Sequence, residues 1–172
     1  MPEQWIAISD IPAQGRDMIF DDQALWREGC EAFSLDVAPG RDLVAVVTIM
    51  PQSDGGALVR GTLKGSVLMP CDRCAARAEV EIDSSFDLFE QVIASEVGEE
   101  PRMREVSGEL QLDIGALLWE EFALALPVKP LCSEECKGVC PGCGRDRNIE
   151  SCECVEDNGD DRLAVFRNLK LK

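Results

Sequence analysis

CSEECKGVCPGCGRDRNIESCEC, residues 132–154, is the stretch on which the organisation of the chain turns. Six of the nine cysteines fall in these 23 residues, as Cys132-x3-Cys136, Cys140-x2-Cys143 and Cys152-x-Cys154. A fourth pair, Cys71-x2-Cys74, stands upstream in PCDRC. Thiolates two to four residues apart let one tight turn present two sulfurs to the same ion, at about 2.3 Å for zinc. In CPGC, Pro141 and Gly142 set the bend, and Gly144 lets the backbone leave it without a Cβ clash. Four pairs make two complete four-sulfur sites. The expected cofactor is therefore zinc: two structural ions, bound by Cys71, Cys74, Cys132, Cys136, Cys140, Cys143, Cys152 and Cys154.

Eight sulfurs in four pairs divide between two ions in three ways. Joining Cys140/Cys143 to Cys152/Cys154 closes a loop of only eight residues, at small entropic cost. Cys71/Cys74 then joins Cys132/Cys136 as a long-range clip. This division is preferred over the crossed ones. A redox CxxC expects a strand-to-helix context, whereas these pairs lie between strands or in Gly-rich turns. An iron–sulfur cluster and an extracellular disulfide framework are the competing uses of so many cysteines.

Composition narrows the chemistry. The chain has 172 residues and neither histidine nor tyrosine, which removes His-assisted nucleophiles, His general bases and mixed Cys/His catalytic zinc. Sulfur-enclosed zinc is the structural pattern. A formal charge of −16 disfavours unspecific adsorption to nucleic acid or anionic lipid. Two four-thiolate zinc sites would bring it to about −20. A partner for such a surface is more naturally basic than a phosphate backbone. No apolar run approaches the ~20 residues of a membrane span, and MPEQWIAISD lacks the pattern of a secretory signal, so a cytoplasmic protein is expected. No small-molecule substrate and no membrane association are expected. Acidic residues dispersed along strand faces argue against a nuclease.

Ahead of the cysteines, the pattern predicts an α+β protein: an antiparallel sheet or partly open barrel, a few short helices and a C-terminal Cys-rich zinc-binding module. The expected division is a β-rich core over 1–130, the zinc-binding module over 131–156 and a short helix or tail over 157–172. Two short extended pieces are read in 1–20, and a helix over 22–33 with Leu25, Trp26, Cys30 and Phe33 on its apolar side. Cys30 reads as a small buried hydrophobe. DLVAVVTIM (42–50) reads as a strand buried on both faces or a sheet centre. Residues 57–69 alternate, with Val59, Leu63, Val67 and Met69 inward and Arg60, Thr62, Lys64 and Ser66 outward. The next strand places Ala78, Val80, Ile82, Phe86 and Leu88 inward. PCDRC joins the two, so Cys71 and Cys74 are expected on an exposed hairpin tip. Residues 95–109 read as an acidic surface loop. Leu110 and Leu112 form a short strand, and Asp113 caps a helix with Ile114, Leu117, Leu118 and Phe122 on one face. Pro127 and Pro130 end that helix.

The order PCDRC, DIGALLWEEFALALPVKPLC, CKGVCPGCGRDRN, CEC and DDRLAVFRNL resembles the YceD family, the large ribosomal RNA subunit accumulation proteins. The resemblance covers roughly residues 58–169, and residues 1–57 share only the general pattern. It implies a non-enzymatic ribosome biogenesis factor that promotes accumulation or processing of large-subunit ribosomal RNA, with precursor rRNA or a basic ribosomal protein as partner. Members that keep a CxRC and one later pair support grouping Cys71/Cys74 with Cys132/Cys136. A thiol-redox or zinc-donating protein is the alternative. Direct RNA contact would fall to Arg145, Arg147, Arg162, Arg167 and Lys170, while the acidic sheet and the 95–109 loop face a basic protein. Leu163, Phe166 and Leu169 form a stripe by which the tail could pack instead.

Overall fold

The fold was taken from a computed structural model that describes residues 4–53, 55–92 and 101–154. The readings made for the tail, including Arg162, Arg167, Lys170 and the Leu163–Phe166–Leu169 stripe, lie outside the described residues. So does the 95–100 part of the acidic loop.

The chain is α+β, with two antiparallel sheets and two helices among the described residues and no closed barrel. In order these are β1 (Trp5–Ala7), β2 (Arg16–Phe20), α1 (Gln23–Ala32), β3 (Ala38–Pro39), β4 (Val44–Pro51), β5 (Gly56–Pro70), β6 (Arg77–Gln91), β7 (Met103–Val106), β8 (Glu109–Asp113) and α2 (Ile114–Ala125). The larger sheet runs β2-β4-β5, with β3 on the distal part of β5 and β6 on its other edge. The smaller sheet runs β1-β8-β7.

Strand β4 sits at the sheet centre, but only one of its faces is buried. Ala45, Val47 and Ile49 are fully enclosed while Val46 is 45% exposed. Its apolar run reflects β-branched propensity rather than double burial. β5 and β6 pair over 15 residues each and alternate as their sequences require, with Val59, Leu63, Val67, Ala78, Ile82 and Phe86 inward. Ser66 departs from the expected outward position and is fully buried. The chain at Gly40–Arg41 lies over it: the Gly40 N–H donates to the Ser66 carbonyl (3.0 Å) and the Arg41 N–H to Ser66 Oγ (2.7 Å). Ser66 Oγ in turn donates to Glu79 Oε1 (2.7 Å), so the buried hydroxyl is satisfied. On the outer face, Arg60–Asp87 (2.7 Å) and Lys64–Asp83 (3.2 Å) pair across β5 and β6, and Arg41, from the segment between β3 and β4, pairs with Glu81 (2.6 Å). Each exposed pair contributes only a fraction of a kcal/mol. Part of the sheet's acidic face is thus already matched by the chain's own cations.

Both helices start as their sequences dictate. Asp22 accepts from the Ala24 N–H (2.9 Å), and Asp113 accepts from the Ala116 N–H (3.1 Å). Ile114, Leu117, Leu118 and Phe122 of α2 are fully buried beside Leu25, Trp26 and Cys30 of α1. Phe122 joins the two helices, with ring centroids 5.5 Å from both Trp26 and Trp119. Burial pushes the Cys30 thiol up, in keeping with a packing role. The 95–109 reading needs correction over its second half. Met103–Val106 is strand β7, Met103 is buried, and positive φ at Ser107 and Gly108 makes the hairpin turn into β8.

What matters for the site is that the β5–β6 hairpin outruns its neighbours. Pairing with β4 ends at Val44–Lys64, and β3 covers only Val67 and Leu68. The turn 71–76 therefore emerges beyond the sheet.

Candidate metal centres

The hairpin turn closes on itself, with the Cys71 N–H donating to the Ala76 carbonyl (2.8 Å) and the Ala75 N–H to the Cys71 carbonyl (2.9 Å). Pro127 and Pro130 end α2 and send the chain across this tip. There the Asp72 N–H donates to the Pro130 carbonyl (2.8 Å) and the Val139 N–H to the Arg73 carbonyl (2.9 Å). The Arg73 guanidinium donates to the carbonyls of Cys136 (2.8 Å) and Glu134 (3.4 Å). The two strands of chain are thus stitched together by backbone before any sulfur is considered.

The stitching brings Cys71, Cys74, Cys132 and Cys136 into one group, all sulfurs within 4.8 Å of one another. Cys71 and Cys136 sulfurs are 3.8 Å apart, and those of Cys74 and Cys132 are 3.6 Å apart. Cys71, Cys74 and Cys136 are buried and Cys132 is exposed. The tip cysteines are therefore covered rather than exposed, because the 130–139 segment lies over them.

A second group, Cys140, Cys143, Cys152 and Cys154, is likewise gathered within 4.8 Å. Its first pair sits on a turn closed by the Gly144 N–H to the Cys140 carbonyl (2.8 Å) and the Cys140 N–H to the Arg145 carbonyl (2.8 Å). Gly144 has φ +74°, the conformation anticipated from CPGCG. Here only Cys140 is buried, while Cys143 and Cys154 are exposed. The structure thus groups the four pairs in the locally closing way.

Crowding spreads the protonation behaviour of the thiols. Burial pushes against ionisation of Cys71, but the N–H groups of Cys132, Arg73 and Cys74 outweigh it and lower its pKa to about 6. Around Cys74 the Ala76 N–H favours the thiolate, yet burial and its three sulfur neighbours push it up to about 12. Cys136 raises Cys132. In the second group the Cys143 N–H leads in lowering Cys140 to about 6, while Cys143 and Cys140 drive Cys154 up to about 12. Cys140 likewise raises Cys152. Several thiols whose protons compete within one cluster are suited to a cation that replaces those protons. Each group could hold a metal ion.

Of the arginines singled out in the sequence, Arg145 and Arg147 lie exposed on the loop between the pairs of the second group. Arg145 is 3.9 Å from Glu150, and the Arg147 N–H donates to the Gly138 carbonyl (2.9 Å). Two supporting residues escaped the sequence reading. Arg73 clamps the Cys136 carbonyl, and Asn148 donates to the Cys136 sulfur (3.4 Å). Arg73 sits within PCDRC and Asn148 within CKGVCPGCGRDRN, but neither motif discloses a contact made across more than ten residues of chain.

Among the described residues, no helix is long and apolar enough to cross a membrane. No solved structure matches the chain. Curated relatives include the uncharacterized protein Rv2926c of Mycobacterium tuberculosis and the uncharacterized protein Mb2951c of Mycobacterium bovis. Each is 29% identical over 122 residues, which is 69% of this chain and 56% of the relative. The chain thus spans little more than half the length of the curated relatives it matches. The family model described as "Large ribosomal RNA subunit accumulation protein YceD" matches residues 59–170, which takes in the β5–β6 hairpin, α2 and both cysteine groups. On that match, the chain belongs to the YceD family of large ribosomal RNA subunit accumulation proteins.

Proposed function

We propose that the protein is a non-enzymatic ribosome biogenesis factor that acts in the cytoplasm on large-subunit precursor rRNA, a basic ribosomal protein, or both. Two structural zinc ions stabilise it, each held by one four-cysteine group. The observation that carries the zinc reading is the sulfur spacing. A regular tetrahedron with Zn–S bonds of about 2.3 Å has edges of about 3.8 Å. The separations of 3.6 and 3.8 Å across the first group fit that edge and far exceed the roughly 2.05 Å of a disulfide. Four sulfur ligands leave no open position for catalysis. The first ion clips the Cys-rich module, residues 131–156, onto the core of residues 1–130, with residues 157–172 as a C-terminal tail.

In this reading Arg145 and Arg147, on the loop of the second site, pair with phosphate. The tail cations Arg162, Arg167 and Lys170 add to the contact. Basic protein partners meet the carboxylates not already paired on the sheet. The test is recovery of the tagged chain from cells at mild salt, followed by sequencing of bound RNA and identification of bound proteins. Large-subunit rRNA or a ribosomal protein should be enriched. In vitro, reversing Arg145 and Arg147 to Glu should weaken RNA association and flatten its salt dependence. Enrichment of neither partner would reject the assembly role.

The alternative, a thiol-redox or zinc-donating protein, draws on the exposure of Cys143 and Cys154. Alkylation separates the two. Zinc-held thiolates resist it until a chelator is added, whereas a redox pair is labelled at once.

A further inference from the structure

Asn148 belongs to the loop that the second cysteine group closes, yet its side chain works on the first. Its Nδ2 donates to the Cys136 sulfur (3.4 Å) and to Asp146 Oδ1 (2.7 Å), while its Oδ1 accepts from the Lys137 N–H (2.7 Å). These contacts fix the amide orientation: the nitrogen faces two acceptors and the oxygen faces a donor. The Asp146 carboxylate also accepts from the Asn148 N–H (2.8 Å), holding the turn that aims the amide. The Arg147 N–H bond to Gly138 and an antiparallel bridge between Val139 and Asp146 tie the same loop to the chain beside Cys136.

We infer that Asn148 is a positioning residue for the first site, and that loading the second site tightens the first through it. This rests on the metal reading proposed above. A sulfur ligand that accepts an N–H bond shares its negative charge with the donor, which matters where four thiolates surround one divalent ion. Asn148 can supply that bond only while its loop is held. An ion drawing Cys140 and Cys143 to Cys152 and Cys154 closes the loop and removes the chain entropy that would otherwise oppose placing the amide. An empty second site leaves the loop held only by the Arg147–Gly138 bond, the Val139–Asp146 bridge and the Asp146 turn, so the donor is in place less of the time. The two sites therefore load cooperatively, the second reinforcing the first.

The test uses the full, reduced chain loaded with cadmium, each site giving its own NMR resonance and the first assigned by its loss in Cys71→Ser. Asn148→Asp keeps the acceptor for Lys137 and removes the donor to sulfur. It should shift the first-site resonance alone and weaken that site about 10–100-fold in chelator competition, the usual effect of losing such a supporting bond. Asn148→Ala, which adds no charge, should do the same. Cys152→Ser should weaken the first site comparably, and adding Asn148→Asp to it should cost little more, since both remove one bond. Full first-site affinity in either Asn148 variant, or in Cys152→Ser, overturns the inference while the two-metal reading stands. Movement of both resonances in both Asn148 variants assigns the residue to its own loop and also overturns it. If the parent chain binds no metal, the metal reading and this inference fall together.

Discussion

Gly138 lies at the seam between the cysteine module and the hairpin, and replacing it by alanine isolates what that seam contributes. Its φ of +70° is a left-handed conformation that costs an ordinary residue roughly 1–2 kcal/mol. A Cβ there would also stand 2.9 Å from the Arg73 carbonyl oxygen, closer than carbon and oxygen tolerate. That oxygen accepts from the Val139 N–H, and the neighbouring guanidinium holds the Cys136 carbonyl, so backing away strains both bonds. At about 1 kcal/mol per bond, partly lost, Gly138→Ala should destabilise the seam by about 3 kcal/mol. Gly144→Ala is the internal control. Its φ is +74°, but nothing lies within 4 Å of the added carbon, so it should cost the conformational 1–2 kcal/mol only. Amide exchange on the metal-loaded chain reads the difference. The Val139 amide should exchange about a hundredfold faster in Gly138→Ala and far less so in Gly144→Ala. Equal effects of the two variants at Val139, or none, would refute the contact with Arg73 as the cause.

Phe122, fully buried between Trp26 and Trp119, should cost about 3–5 kcal/mol when truncated to alanine, read as a lower urea midpoint. Burial raises the pKa of Glu90, with Glu120 adding to it and Arg102 opposing it. The folded chain then holds that proton more tightly than the unfolded one. Stability should accordingly fall as pH rises from the ordinary carboxylate range through the elevated Glu90 value, and Glu90→Gln should flatten that slope in denaturation measured across mildly acidic pH.

Much of the architecture was legible because local and global signals agree. Asp113 precedes an apolar-periodic run and does cap it, and the alternation of residues 78–88 survives residue by residue. PCDRC between two alternating runs gave the hairpin tip, and short closure gave the grouping of the pairs. What escaped depends on chain brought from elsewhere. Ser66 looked outward until Gly40–Arg41 was laid over it, and Cys71 and Cys74 looked exposed until residues 130–139 covered them. Strand β7 hid in a charged stretch, where only Met103 faces the core and the Ser107–Gly108 turn was the readable clue. Val46 decides between the two readings of 42–50: β4 is a sheet-centre strand with one buried face, since a β-branched run signals strand and not burial on both faces.

The division of the cysteines is tested most directly by native mass spectrometry of two double variants of the reduced full chain. Cys71→Ser with Cys132→Ser removes two ligands from one proposed site and should leave one zinc ion bound. Cys71→Ser with Cys140→Ser strikes both sites and should leave none. Loss of both ions from the Cys71/Cys132 variant, or retention of one by the Cys71/Cys140 variant, would contradict the two-site arrangement on which the account rests.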